Sequence, residues 1–233
     1  MKGSALLKSV LVPVNRAGWP FIALFAAVSV GLALFWPPLG WAGLVLTLWC
    51  VYFFRDPPRT TPVRAGLVVS PADGVVLRPV AVAPPADLDL GEAPVVRVSI
   101  FMNVSDVHVN RVPTDGRITA CVYRPGRFVN ASLDKASEHN ERMGVAMRTA
   151  DGRALAFVQI AGLVARRIRC HLSPGDEVRT GQRFGLIRFG SRVDVYLPEG
   201  VPNLVAEGQR AIAGETVIAD LSGSEPARDG EVR

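Results

Sequence analysis

The chain has 233 residues, of which 49% are hydrophobic, and a formal net charge of +5. That length allows one domain with a buried core, alone or with an appendage. No charged residue occurs from Ala17 to Phe54, a run of 38 positions, whereas a single membrane helix needs about 18 to 20 apolar residues. The run excludes a purely soluble protein. Because no such run follows residue 55, a polytopic transporter is excluded as well.

The basic excess consists almost entirely of arginine, with 23 Arg and three Lys. Next to a membrane anchor, this excess favours contacts with lipid phosphates, and no nucleic-acid-binding signature accompanies it. Cys50, Cys121 and Cys170 are odd in number and far apart, which predicts reduced thiols on the cytoplasmic side. The three histidines are scattered, so no metal site is expected.

Residues 1–16 form a basic N-terminal segment, and residues 17–54 are predicted to form a membrane-associated helical hairpin. Proline breaks a helix, so the Pro-Pro-Leu-Gly sequence at 37–40 predicts a tight turn. The turn divides the apolar run into helices over 18–36 and 40–54. The second helix is short for a full span, so a shallow hairpin seated in one leaflet stays open as an alternative.

Positive charge on both sides of the hairpin indicates its orientation. The flanking basic residues are Lys2, Lys8 and Arg16 before it and Arg55, Arg59 and Arg64 after it. Cytoplasmic flanks of membrane segments are enriched in Lys and Arg. Both ends of the hairpin, and the chain that follows, are therefore predicted on the cytoplasmic side of the inner cell membrane.

Residues 55–220 are predicted to form a β-rich domain, because short β-branched stretches alternate with turn residues. The predicted strands are Gly66–Ser70, Gly74–Val82, Val95–Phe101, Gly116–Tyr123, Val145–Thr149, Ala154–Ile160, Arg183–Arg188 and Val193–Leu197. Two similar turns, 70–74 and 173–177, suggest related hairpins as in barrel-sandwich folds. The expected class is mainly β (β-rich α+β), with residues 221–233 as a disordered polar tail.

The most informative segment runs from Gly185 to Asp194 and contains Phe189-Gly190-Ser191-Arg192. Alone, a Gly-Ser pair in a strand indicates only a bulge. Four further segments occur in the expected order: 70–74 (Ser-Pro-Ala-Asp-Gly), 101–113, 140–142 (Asn-Glu-Arg) and 161–168. Together the five segments resemble phosphatidylserine decarboxylases in their short bacterial form.

The resemblance implies a pyruvoyl-dependent enzyme that cleaves itself between Gly190 and Ser191. In that chemistry the Ser191 hydroxyl attacks the Gly190 carbonyl to give an ester, and elimination and hydrolysis leave a ketone at the new N-terminus. The ketone forms a Schiff base with the substrate amine. Glycine at 190 suits the attack because it has no side chain and tolerates unusual backbone angles. The products would be a large chain 1–190 and a small chain 191–233.

The low lysine content of the chain agrees with a pyruvoyl cofactor. A decarboxylase needs an electron sink for the carbanion left when CO₂ departs. Pyridoxal phosphate would need an internal lysine, and beyond the anchor the chain has only Lys135. The resemblance therefore implies a covalent pyruvoyl group from Ser191, without metal or pyridoxal phosphate. It implies phosphatidylserine in the membrane as substrate and phosphatidylethanolamine as product, and it leaves a homo-oligomer open.

Three further residues have roles implied by the resemblance. Asp73 matches the family aspartate associated with self-cleavage, and His108 matches a family histidine linked to decarboxylation. Arg111 stands where the longer enzymes have a second histidine that acts as base, and a guanidinium cannot replace it. Two candidates for the base therefore stay open. His108 could serve in both self-cleavage and decarboxylation, or Asp73 could act as the base in self-cleavage, directly or through a water molecule. Arg111 is predicted to bind the substrate's phosphate or carboxylate.

Two other functions stay open at this stage. The same chemistry could act on another serine phospholipid, such as an archaeal-type ether lipid, because the motifs cover the reaction core and not the lipid tails. A non-enzymatic, membrane-tethered barrel-sandwich carrier or adaptor is the second alternative. Self-cleavage distinguishes the alternatives, because the enzymes cleave themselves whereas a carrier or adaptor would stay uncut.

Overall fold

The computed structural model describes residues 12–126, 140–162, 167–188 and 191–231. The chain divides into two compact units, Met1–Pro58 and Arg59–Arg233. The first unit is helical and the second is built from β-strands. The prediction of a mainly β chain with an N-terminal apolar helix is confirmed.

The first unit is a helical hairpin. A 3₁₀ turn, Arg16–Gly18, leads into α1 (Trp19–Phe35), and α2 (Pro37–Phe53) follows after the single extended residue Trp36. The predicted four-residue turn at 37–40 is wrong, because both prolines belong to the first turn of α2. Proline is tolerated there, since the first amides of a helix have no intrahelical partner.

Small residues let the two helices of the hairpin approach closely. A Cβ on Gly40 would lie 2.4 Å from Cβ of Ala33, and one on Gly43 would lie 2.4 Å from Oγ of Ser29. The hydroxyls of Ser29 and Thr47 lie 3.3 Å apart across the interface. Small and hydroxylated residues at such contacts are typical of helices that pack in lipid.

The stretch Arg16–Phe35 has 20 residues and is long and apolar enough to cross a membrane, judged by length and composition. The stretch Pro37–Phe53 is apolar but shorter. Large apolar side chains such as Leu34 and Phe35 are exposed in this unit. Exposed apolar surface of this extent indicates a membrane or another apolar partner.

The described part of the second unit forms fourteen strands. Their bounds are β1 Leu67–Val69, β2 Gly74–Val76, β3 Val80–Val82, β4 Val95–Met102, β5 Val109–Arg111, β6 Gly116–Arg124, β7 Arg142–Arg148, β8 Ala154–Ala161, β9 Ile168–Cys170, β10 Glu177–Val178, β11 Arg183–Ile187, β12 Ser191–Tyr196, β13 Arg210–Ala211 and β14 Val217–Asp220. All of the eight predicted stretches overlap observed strands, although Gly74–Val82 is divided between β2 and β3. The short strands β5, β9, β10, β13 and β14 were not predicted.

The strands form three antiparallel sheets. The largest has nine strands in the order β10-β6-β7-β8-β12-β4-β2-β13, with β3 also paired to β4, and it curls into a half-barrel. A three-stranded sheet has the order β5-β11-β9, and β1 pairs with β14. Strand β12 therefore lies in the interior of the largest sheet, hydrogen-bonded to β8 on one side and to β4 on the other.

Both faces of the largest sheet are covered. The larger apolar cluster lies on one face and includes Ile100, Phe157 and Phe184, the last two in an edge-to-face contact with ring centroids 4.8 Å apart. A smaller cluster on the other face includes Leu88 and Ile160. A strand that is buried on both faces loses the apolar-polar alternation of a half-exposed strand, as every residue of β12 is buried.

Candidate active site

Ser191 is the first residue of β12 and is completely buried. It is paired with Met102 of β4 on one side and with Ala161 of β8 on the other. Directly opposite residues of paired strands share a face, so the Ser191 side chain lies on the face of the larger apolar cluster. Gly190, the predicted partner in cleavage, lies outside the described residues.

His108 lies beside the chain that leads into Ser191. Its carbonyl accepts a hydrogen bond from the amide of Ile187, the last residue of β11 and four positions before Ser191. The ring is buried, and Nδ1 lies 3.0 Å from the carbonyl oxygen of Asp106. A carbonyl can only accept, so Nδ1 carries a proton, and in the neutral ring Nε2 is the basic nitrogen.

Asp73 lies in the turn before β2, and both of its carboxylate oxygens are held. Arg59 Nη2 donates to Oδ2 at 2.5 Å, and the amide of Ala213 donates to Oδ1 at 2.8 Å. Sequence reasoning missed Arg59 in this role, because nothing in the sequence links it to a turn 14 residues away. The two strands β2 and β12 both pair with β4, so one strand separates Asp73 from Ser191.

Arg111 connects the histidine segment to the aspartate turn. Its amide donates to the carbonyl of Pro71 at 2.9 Å, and Nη1 donates to the carbonyl of Gly181 at 2.9 Å. A Cβ on Gly214 would lie 2.8 Å from Cδ of Arg111, and Gly214 has a positive φ of 77°. The side chain is buried and bonded to the protein's own backbone. Its predicted role as a substrate ligand stays a prediction.

An uncharged polar cluster that sequence reasoning missed lies beside Ser191. Gln159 Nε2 donates to Asn110 Oδ1 at 2.8 Å, Asn110 Nδ2 lies 3.6 Å from Sδ of Met102, and Ser191 Oγ lies 4.0 Å from the same sulfur. Asn110, Gln159 and Ser191 are completely buried. The signal available in the sequence is Gln159, an amide inside the otherwise apolar stretch Ala154–Ala161.

The opposite face of the sheet carries charge. Arg192 and Asp194 are completely buried there, with Nη2 of Arg192 donating to Oδ2 of Asp194 at 3.0 Å. A cavity of about 380 Å³ opens on this face, lined by apolar side chains together with Arg97, Arg142 and Tyr196. Because alternate residues of β12 face opposite sides, this cavity does not contain the Ser191 side chain.

Within the described ranges, no group of three or more His, Cys, Asp or Glu side chains could hold a metal ion. Cys50, Cys121 and Cys170 are free thiols. Lys135 lies outside the residues that the structure describes. Of the predicted site residues, His108 is bonded to Ile187, four positions before Ser191, and the Asp73 turn lies one strand away from Ser191.

Comparison with known proteins identifies the family of the chain. A sequence profile described as "Phosphatidylserine decarboxylase" matches residues 46–219. The chain belongs to the phosphatidylserine decarboxylase family. A relative from Paramagnetospirillum magneticum, named phosphatidylserine decarboxylase proenzyme, is 63% identical over 98% of this chain and 95% of its own length.

Two further relatives carry the same name. The protein from Cereibacter sphaeroides is 58% identical over 98% of both chains, and the one from Ruegeria pomeroyi is 59% identical over 91% of this chain and 96% of its own. The similarity to members of the family thus covers the apolar hairpin as well as the β-rich unit.

Tyr196, on the charged face, is expected to lower the free energy of unfolding at alkaline pH. Burial, followed by the charge of Asp194, raises the pKa of Tyr196 from 10.0 to about 12. A phenol whose pKa is higher in the folded chain contributes stability below pH 10.0 that is lost as pH rises toward 12, a loss of roughly 2–3 kcal/mol.

We expect the free energy of unfolding to fall over that interval and Tyr196→Phe to remove this part of the fall. Urea unfolding of both proteins across the interval, in detergent micelles, measures it. Identical pH profiles for the two proteins would contradict the assignment.

Proposed function

We propose that the chain is a self-processing decarboxylase that converts phosphatidylserine to phosphatidylethanolamine and CO₂ with a pyruvoyl group made from Ser191. The family of carboxy-lyases to which it belongs, and the proenzyme names of its relatives, support the reaction. The observation that carries the assignment to Ser191 is its position. It is completely buried, it begins an interior strand, and it follows by four residues Ile187, whose amide donates to the carbonyl of His108.

The proposed cleavage requires the proton of the Ser191 hydroxyl to leave as Oγ bonds to the Gly190 carbonyl carbon and the Gly190–Ser191 peptide bond breaks. His108 suits the role of base because its Nδ1 proton is held by the Asp106 carbonyl, which makes Nε2 the basic nitrogen. Asp73 stays the alternative. Its hydrogen bonds from Arg59 and Ala213 stabilise the charged carboxylate and thereby weaken it as a base.

The residues around Ser191 fit a pyruvoyl group. The position is dry, and the polar side chains of the cluster that the structure describes there, Asn110 and Gln159, are uncharged, which suits a neutral ketone. The group supplies an electron sink for the electron pair left when CO₂ departs. His108 is the proposed donor of the proton that replaces CO₂ on the substrate carbon, and we propose Arg111 as a contact for the substrate's anionic groups.

We propose that the hairpin anchors the enzyme in the inner membrane, with the β-rich unit on the cytoplasmic side. The apolar stretch Arg16–Phe35 supports an anchor, and basic residues on both flanks support the orientation. Arg59 pairs with Asp73 and Arg64 pairs with Asp220, so part of the positive charge that follows the hairpin is compensated within the chain. An anchor suits the reaction because substrate and product both stay in the bilayer.

The domain organisation that we propose has four parts: a basic segment 1–16, the hairpin 17–54, the decarboxylase domain 55–220 and the tail 221–233. After cleavage the large chain 1–190 and the small chain 191–233 would stay together as the enzyme. Family membership favours phosphatidylserine over another serine phospholipid, and it disfavours a carrier or adaptor.

We expect the full chain, expressed with its membrane, to separate on a denaturing gel into two chains after cleavage at Gly190. Intact mass should show a small chain of residues 191–233 with a blocked N-terminus. Ser191→Ala should stay at 25.0 kDa and convert no phosphatidylserine, because it lacks the attacking hydroxyl.

Ser99→Ala is the matched control, since Ser99 is buried in the neighbouring strand on the opposite face, and it should cleave normally. A single uncut band from protein that decarboxylates phosphatidylserine would contradict the pyruvoyl assignment.

The base can be identified by comparing two variants. His108→Ala should slow self-cleavage by roughly 10²-fold or more, because general-base catalysis typically contributes 10²–10⁴-fold. Asp73→Ala should slow it less if the carboxylate only organises the turn. The fraction of cut chain over time, measured on gels, gives both rates. If His108→Ala cleaves at the normal rate and Asp73→Ala does not cleave, His108 is not the base.

A further inference from the structure

The amide cluster beside Ser191 has no part in the mechanism above, although it lies on the same face of the sheet. Ser191 and Gln159 lie on neighbouring strands, because Ser191 is paired with Ala161 two residues along β8. Asn110 reaches the cluster from β5, in a different sheet. Side chains from three other strands, Gln159 of β8, Asn110 of β5 and Met102 of β4, therefore lie on the same face as the serine.

Gln159 fixes the orientation of the Asn110 amide. Because Gln159 Nε2 donates to Asn110 at 2.8 Å, the accepting atom must be the amide oxygen, and the Asn110 NH₂ group must face Met102. Gly185 makes room for this contact, since a Cβ there would lie 3.2 Å from Gln159 Nε2. The direction of the Asn110 donor is thus determined by the fold.

The cluster retains an unsatisfied acceptor. Oε1 of Gln159 is buried without a hydrogen-bond partner in the part of the chain that the structure describes. Buried polar atoms nearly always have partners, and exceptions tend to occur where a chain needs a polar group for function. An apolar residue at this strand position would avoid the unsatisfied oxygen, which indicates that the Gln159 donor has a use.

The Ser191 hydroxyl has a weak acceptor. Within the described residues its one polar contact is Sδ of Met102 at 4.0 Å, which Asn110 Nδ2 also approaches at 3.6 Å. A thioether accepts hydrogen bonds poorly, so the proton of the hydroxyl is not strongly held. The Asn110 NH₂ group approaches the same sulfur, and a donor on that side of the serine can compensate negative charge developing on its oxygen in a dry site.

We propose that Asn110 is a positioning residue for self-cleavage, with its NH₂ group held by Gln159 against the Met102 sulfur that the Ser191 hydroxyl also approaches. This inference rests on the proposed function, because it concerns the same cleavage. The proton leaves Ser191 Oγ for the base, and Asn110 neither gains nor loses one. Its contribution is a neutral donor of fixed direction.

The test measures the rate of self-cleavage of the full chain, synthesised by cell-free translation with phospholipid nanodiscs and followed on denaturing gels. Asn110→Asp keeps the shape and an acceptor for Gln159 but replaces the NH₂ donor by an oxygen. At neutral pH we expect it to cleave about tenfold more slowly or worse, as expected when a buried donor is lost. Asn110→Ala should be equally slow.

The pH profile distinguishes this role from a structural one. Burial raises the pKa of an introduced carboxyl, and the protonated carboxyl is again a donor. The rate of Asn110→Asp relative to the unmodified chain should therefore recover as pH falls, whereas that of Asn110→Ala should not. Gln159→Glu should also slow cleavage, because an ionised carboxylate cannot donate a hydrogen bond to the Asn110 amide oxygen. The control Ser99→Ala should cleave at the normal rate.

Melting temperatures of the same substitutions in the uncleavable Ser191→Ala chain report on folding. Normal cleavage by Asn110→Asp, or slow cleavage that lacks pH recovery and follows a lowered melting temperature, would overturn the inference. If Asn110 variants do not fold, normal cleavage by a folded Gln159→Glu chain would overturn it, and slow cleavage would support it. If the unmodified chain does not cleave, the proposed function fails and this inference fails with it.

Discussion

Two ladders of backbone hydrogen bonds, one on each side of β12, determine where Ser191 lies. Its position opposite Met102 and Ala161 places the side chain on the core face and removes it from water. The same ladders bear on the proposed cleavage. The part of the chain after Gly190 supplies β12, β13 and β14, and each of these strands pairs with a strand from the part before it. A cut before Ser191 would therefore leave the small chain held in the sheets.

The alternation of side chains along β12 separates two environments. Ser191 faces apolar residues, a thioether and two neutral amides, whereas Arg192 faces the other side and is paired with Asp194. A buried charge next to a reacting carbonyl would alter its reactivity, and the sheet keeps that charge on the opposite face. The cavity of about 380 Å³ lies on the charged face and not on the face of the Ser191 side chain.

Local signals made much of the fold predictable from sequence. The uncharged run predicts the hairpin, because lipid excludes charge. The β-branched stretches between turn residues predict the longer strands. The hairpin's turn was predicted incorrectly because Pro37 and Pro38 were interpreted as helix breakers, although the first turn of a helix accepts proline. Short strands such as β5 carry too few residues to show a period.

The contacts of the site were less predictable. Co-ordered motifs predict Ser191 and His108 as site residues. Arg59 reaches Asp73 across 14 residues, and Gln159 reaches Asn110 across 49. Such pairs depend on strand order in three dimensions, which spacing along the chain does not encode. The residue type of Arg111 predicts a ligand for an anion. The hydrogen bond from its guanidinium to the carbonyl of Gly181 could not be predicted from the sequence.

The central claim is that residue 191, after cleavage, carries the carbonyl that binds the substrate amine. Incubating the enzyme with phosphatidylserine vesicles and cyanoborohydride would link that amine irreversibly to the protein, and the intact mass of each chain would then be measured. The account predicts the lipid adduct on the small chain, at its first residue, and none on chain 1–190. An adduct on the large chain at Lys135, from protein that converts phosphatidylserine, would contradict it.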